Sequence, residues 1–349
     1  MSRKKLISTA VALILSGIFL YFAFRRIEFG RLIETFRTIQ WGYAVPFVAV
    51  TWVTFYWRGW RWQKLLRGTH DLKMNDVYGP MMIGFAFNSI FPARAGEFAR
   101  PLALTKKAGV PYTTGLSSVL VERIWDMLAL LTAFIVCSLL IEFDDSFSYQ
   151  YGDITITPAL LKGIILKMTV LAGILLCGSL CMLSEGFRGL VRKVLHWLPY
   201  VPEKLKGKLI AIFEAFAMGF GGLKRPIVIA QVALDSLGIW FLTALTLWIM
   251  ALGFPTIEMT VVHALVFLVV TCVMVSLPSV PGYWGVYEVG GLVALAICLP
   301  EVDENTAMSF TLFVHFLQWA LVTAIGLYYA GRIHVSVKEV ETKKTELPT

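Results

Sequence analysis

Charge is what this sequence has least of. Of its 349 residues, 15% are Asp, Glu, Lys or Arg and 57% are hydrophobic, with a mean hydropathy of +0.72. A soluble globular chain carries roughly 25% charged and 45–50% apolar residues, so a water-soluble enzyme or binding module is excluded. Cysteine and histidine are also scarce, at five each. Cys137, Cys177, Cys181, Cys272 and Cys298 all lie in apolar runs, and none forms a CxxC pair. They read as small apolar residues. There is no HExxH, no P-loop, no GxSxG turn and no Gly-rich dinucleotide turn after a strand. No metal and no cofactor is therefore expected.

What the chain does have is long apolar runs. A spanning helix needs about 20 mostly apolar residues. Candidate spans are Leu6–Phe24, Trp41–Trp57, Leu116–Ile141, Ala159–Leu183, Pro226–Leu252 and Thr306–Ala330. The runs do not alternate, so helices rather than a barrel satisfy the backbone in lipid. The first run continues through "FLYFAF" where a secretory signal would end at small residues, which predicts an uncleaved helix. The fold class is all-α: a polytopic membrane protein with about six full spans.

Charge on the loops orients them. Glu142, Asp144, Asp145 and Asp153 occupy a loop without Lys or Arg, which belongs outside. Arg188, Arg192, Lys193, Lys204, Lys206, Lys208, Lys224 and Arg225 fall in one stretch, which belongs in the cytoplasm. The block Arg58–Lys73 goes the same way, as do both termini. The loop 25–40 disagrees, with Arg25, Arg26, Arg31 and Arg37 on the outer side, and reads as an interfacial helix. The net charge of +8 thus points to anionic headgroups rather than to nucleic acid.

Two apolar regions are broken. Val77–Leu104 starts and ends inside and has too few residues for two crossings. It predicts a helical hairpin dipping in from the cytoplasm, with "FPARAGE" at its tip. Val261–Leu299 starts and ends outside around "SLPSVPGYWGVYE" and predicts a second hairpin from the other face. Residues 41–141 and 226–330 then form an inverted repeat, joined by a cytoplasmic amphipathic linker at 184–225. Together they make one membrane domain over 1–335, followed by a disordered tail at 336–349. Interrupted segments at corresponding places in inverted halves point to a transport site.

Charged residues inside apolar runs are the candidates, since each costs several kcal/mol unless it meets a partner or a watery cavity. Arg94, Glu97 and Arg100 follow the break at Asn88, Pro92 and Gly96. They either lie at the membrane surface or present donors to an anionic group. Glu122, Arg123 and Asp126 share one helical turn, as a self-neutralised cluster or as part of a site. Pro278, Pro281, Gly282 and Gly285 break the second hairpin ahead of Glu288, beside the aromatic rings of Tyr283, Trp284 and Tyr287. These rings suit either an interfacial belt or a gate. Asp235 lies about 15 Å into its helix. It and His315 read either as coupling groups or as paired and packed residues.

These residues carry a resemblance. "FNSIFPARAGEFARP", then "VERIWDML", then "SLPSVPGYWGVYE" resemble the flippase-like membrane domain of lysylphosphatidylglycerol synthases. That pattern runs Asn, Pro, Gly-Glu, then VERxxD, then PxxPGGxGxxE. Here Gly282-Tyr283 stands in place of Gly-Gly. Family members that transfer aminoacyl groups have a large soluble C-terminal domain. This sequence ends about 20 residues after its last apolar run, so lysyl transfer is not expected. The resemblance implies a bacterial or archaeal inner-membrane protein that moves a lipid between leaflets, not an enzyme. The lipid is an anionic or aminoacylated phospholipid, or one built on a polyprenyl phosphate. Arg94 would hold the phosphate, supported by Arg100, Glu122, Arg123 and Asp126, while Glu97 or Glu288 would meet a cationic headgroup. A scaffold for a glycosyltransferase, or a membrane enzyme acting on lipid phosphates, is the alternative. A second copy of the chain or a partner enzyme remains open.

Overall fold

Twelve helices and one pair of three-residue strands form the described part of the chain. The structure is a computed structural model that describes residues 28–91, 94–140, 149–151, 154–156, 158–198, 202–223, 225–277 and 281–337. It also describes positions 14, 17, 21, 339, 340 and 342. Most of the first expected span, Leu6–Phe24, lies outside these residues. So do Arg25, Arg26, Pro92, Glu142, Asp144, Asp145, Asp153, Lys224, Pro278 and the tail from 343 onward.

A helix, α1 (Phe29–Thr38), occupies the loop expected to hold an interfacial one. Its apolar residues Phe29, Leu32, Ile33 and Phe36 recur at helical spacing and make one stripe. The Glu28 amide anchors its start by donating to Asn305 Oδ1 at 2.8 Å. Next come α2 (Ala44–Leu66), the broken pair α3 (Met74–Ile90) and α4 (Gly96–Ala108), then α5 (Tyr112–Leu140). Strands β1 (Tyr149–Tyr151) and β2 (Ile154–Ile156) pair antiparallel. After α6 (Pro158–Cys181) the chain turns by 98° into α7 (Glu185–Trp197), followed by α8 (Glu203–Gly219). Helices α7 and α8 are the two expected linker helices. α7 has no buried residue, and Leu190, Val194 and Trp197 stay exposed on it. An ion pair between Arg192 and Glu214 joins the two helices.

The second half repeats the order of the first. A long helix, α9 (Pro226–Ala251), is followed by a broken pair, α10 (Val261–Val275) and α11 (Val286–Cys298), and then by α12 (Glu304–Ile333). Among the described residues, α9 and α12 are long and apolar enough to cross a membrane by length and composition. α2 packs on α9, α3 on α12, and α10 on α5, so the halves interlock. Phe47, Phe254, Phe267 and Phe310 fill the core where α2, α9, α10 and α12 meet. Trp52, Phe241, Val273, Phe316 and Leu327 remain exposed on the outside, as lipid-facing residues do.

Two expectations need correction. The block Arg58–Lys73 is not a loop from its start, because α2 runs on to Leu66 and buries Arg58 and Arg61. Their charges are met by acids on α5, described below. The stretch from Ser336, expected to be disordered, is held at its beginning. Val335 and Val340 are buried in a cluster with Ile83, Phe87 and Ala103. Glu339 accepts from Lys106 Nζ at 2.7 Å.

Candidate functional site

The two helix breaks build the site. α3 ends at Phe91, and Arg94 takes a left-handed backbone with φ 51° before α4 begins. The Asn88 side chain reaches across the break and accepts from the Gly96 amide at 2.8 Å. This satisfies one of the free amides at the start of α4. Gly96 sits so close to α3 that a Cβ there would collide with the Gly84 carbonyl.

The second break has the same kind of chemistry. Gly282, Tyr283 and Gly285 all have positive φ. Glu288 Oε2 accepts from the Gly285 amide at 2.6 Å. Its other oxygen lies 2.6 Å from His315 Nδ1, while His315 Nε2 lies 2.8 Å from the Gly282 carbonyl. The imidazole is sandwiched between Trp284 and Tyr287, with ring centres 4.4 and 4.2 Å away.

The breaks meet each other. Arg94 Nη2 donates to the Val275 carbonyl at 3.2 Å, and Trp319 Nε1 donates to the Ser89 carbonyl at 3.2 Å. Between them lies a cavity of about 290 Å³. Arg58, Arg94, Glu97 and Arg123 line it, together with threonines of α2, α9 and α10 and with Trp240, Tyr283, Tyr287, His315, Gln318 and Trp319.

Behind the cavity is a buried ionic network. Arg100 holds Glu122 through two contacts, 3.0 and 2.7 Å, and its guanidinium lies 3.7 Å over the Trp62 ring. Arg61 contacts Asp126 at 2.8 Å and Glu122 at 3.4 Å, and donates to Ser236 Oγ at 2.7 Å. Arg123 lies 3.3 Å from Glu122, 3.4 Å from Asp126 and 3.7 Å from Glu97. Arg58 lies 3.9 Å from Asp126 and stacks on Trp240, whose Nε1 also donates to Asp126. The arginines outnumber the acids: Arg58, Arg61, Arg100 and Arg123 face Glu97, Glu122 and Asp126.

The residues expected from sequence therefore divide. Arg94, Glu97, Arg123 and His315 reach the cavity. Arg100, Glu122 and Asp126 are buried behind it and engaged with one another. Glu288, expected to meet a cationic headgroup, is fully buried and bound to His315 and Gly285. Asp235 is not a lone acid, because Lys64 Nζ is 2.6 Å away and Trp57 Nε1 donates to it at 2.9 Å. Arg58, Arg61 and Trp240 were missed. Their signal was spacing: Thr51, Thr54, Arg58 and Arg61 fall on one helical face.

Residues 9–326 match the family described as the lysylphosphatidylglycerol synthase TM region. The chain belongs to that family. Its apolar helices and buried charge network are those of a membrane domain. The chain is also similar to the glycosyltransferase AglD of Haloferax volcanii, at 23% identity over 311 residues. The match covers 83% of this chain and 49% of AglD, so the chain spans about half the length of that curated relative. No solved structure matches.

Proposed function

We infer that this protein is a transporter that moves an anionic lipid between leaflets of the inner membrane. The observation that carries the reading is the excess of arginine at the cavity. Three arginines line it against one carboxylate, Glu97, among the described residues. Arg58 and Arg123 are paired with acids, but Arg94 is open to the cavity and meets no carboxylate among the described residues, so a ligand phosphate can bind it through charge-assisted bonds that guanidinium suits. The acids behind the cavity are already engaged with arginine, which favours binding over acid–base chemistry.

The architecture supports movement. Both halves place a broken helix pair at the cavity, with α3–α4 entering from the cytoplasm and α10–α11 from the opposite face as an inverted repeat. Each half also ties the second arm of its pair to the following helix, through Arg100–Glu122 in one and Glu288–His315 in the other. Rocking of such halves exposes a central site to either leaflet in turn. Both termini lie on the cytoplasmic side in this reading.

The test is transfer in liposomes. Purified protein is reconstituted with a headgroup-labelled anionic lipid, and the fraction accessible to an outside quencher is followed. Protein-dependent transfer that is lost on replacing Arg94 supports the reading. Transfer no faster than in empty liposomes across a panel of anionic lipids would overturn it.

The similarity to AglD favours a second reading, in which the domain serves a glycosyltransferase as a membrane partner. In that case changes on the exposed face of α7 would impair function, and changes at Arg94 would not.

A further inference from the structure

Threonines line the cavity beside the arginines, and the hydrogens of four of them are already committed. Thr54 donates to the Val50 carbonyl, Thr243 to Ile239, Thr246 to Thr243 and Thr271 to Phe267. Their oxygens keep lone pairs, so they face the cavity as acceptors. Thr51 Oγ1 also lines the cavity, is buried, and has no partner at all. Buried hydroxyls seek a partner, and Thr51, whose own hydrogen is uncommitted, can meet a group that both donates and accepts, as another hydroxyl does.

This divides the ligand in two. Phosphate and ester oxygens only accept, so they suit the arginines and not the four threonines whose hydrogens are committed. An amine donates, but it is a cation. It would enter a cavity lined by Arg58, Arg94 and Arg123, whose one acid, Glu97, already faces Arg123. Neutral hydroxyl groups donate without that repulsion. Thr51 and Arg58 lie on one face of α2, about 10 Å apart along its axis, so one headgroup can reach both. Trp240 and Trp319 border the same space and offer flat apolar faces of the kind that the C–H face of a sugar ring covers. A cavity of about 290 Å³ is at the lower end of small-molecule sites, roughly 300–1,000 Å³, which suits one ring rather than a chain of them.

We propose that the headgroup is a phosphate bearing one neutral sugar, with the phosphate at Arg58, Arg94 and Arg123 and the sugar hydroxyls donating to the threonines. This rests on the transport reading and names its substrate class. It also sets aside aminoacylated lipids, despite the family's description.

The experiment measures binding to the purified full chain in detergent by tryptophan fluorescence. Four short-chain probes are compared: an isoprenyl phosphoryl-hexose, the same isoprenyl phosphate without sugar, dioctanoyl phosphatidylglycerol, and its lysyl ester. The phosphoryl-hexose should bind at least tenfold more tightly than the bare phosphate. Thr51→Val with Thr243→Val should erase most of that gap, and Thr51→Ser with Thr243→Val should restore part of it. Equal binding of the two isoprenyl probes, or tightest binding of phosphatidylglycerol, overturns the sugar proposal and leaves anionic transport standing; tightest binding of the lysyl ester, which is net cationic, overturns both. Binding of all four no better than an uncharged isoprenol overturns the transport reading itself. The ranking of probes on the unaltered protein decides the matter even if the threonine variants fail to fold.

Discussion

Arg100 grips Glu122 with both terminal nitrogens, at 3.0 and 2.7 Å, across the contact between α4 and α5. Both side chains are buried. Removing one member of such a pair leaves a charge without its partner and costs about 3–5 kcal/mol. The two losses are not equivalent here, because the network already has more arginine than acid. Glu122→Gln increases that excess, whereas Arg100→Met reduces it. Glu122→Gln should therefore destabilise more, and the double variant should recover part of its loss. Thermal unfolding of the three proteins in one detergent checks the order.

Gly96 and Asn88 close the first break. A methyl at Gly96 meets the Gly84 backbone, which has no side chain to move aside. Gly96→Ala should thus push α3 and α4 apart and cost about 1–3 kcal/mol. Asn88→Ala removes one hydrogen bond to the start of α4 and should cost about 1 kcal/mol. Denaturation midpoints should fall in that order.

Both breaks were legible in sequence because proline, glycine and charge interrupt apolar runs, and helices α3, α4, α10 and α11 end where those residues stand. The linker helices α7 and α8 were legible from their apolar spacing. The inward reach of Arg58 and Arg61 was not. A charged block after an apolar run reads as a loop unless its partners are known, and here those are Glu122 and Asp126 on α5. Glu288 was misread for the same reason. Its environment depends on His315, on another helix, and no local pattern announces that contact.

Arg94 has φ 51°, a conformation that costs an L-residue roughly 1–2 kcal/mol. Glycine adopts it without that cost. Arg94→Gly therefore removes the guanidinium and the bond to Val275 while relieving the backbone. Its melting temperature should stay within about 2–4 °C of the parent, yet lipid transfer in liposomes should fall at least tenfold. A fall in both together would mean that Arg94 serves the fold.

The stretch after α12 offers a pH dependence that does not involve the membrane interior. Lys106 and the Ser336 amide and hydroxyl hold the Glu339 carboxyl down to about 2, from an ordinary 4.5. A depressed carboxyl contributes while it is ionised. The contact should be intact above pH about 4.5 and be lost as pH falls toward 2. It is exposed, so salt should weaken it too. Hydrogen exchange at residues 336–342 should quicken under either condition and in Glu339→Ala.

Glu288 and His315 join the second break to α12 through two short contacts to one imidazole, from a carboxylate and from the Gly282 carbonyl. Both nitrogens of the imidazole are thereby engaged. His315→Phe keeps a ring between Trp284 and Tyr287 but removes both ring nitrogens. It leaves Glu288 with the Gly285 amide alone and frees the Gly282 carbonyl. Glu288→Gln keeps the size and an acceptor for Gly285. The break should therefore loosen far more in His315→Phe, by about 1–3 kcal/mol for each buried group left unpaired. Proteolysis near residues 276–285, measured beside the melting temperature, separates a loosened break from a general loss of stability. Faster cleavage there in His315→Phe but not in Glu288→Gln is the expected result. Equal behaviour of the two variants would show that ring packing, rather than the hydrogen bonds, holds the break in place.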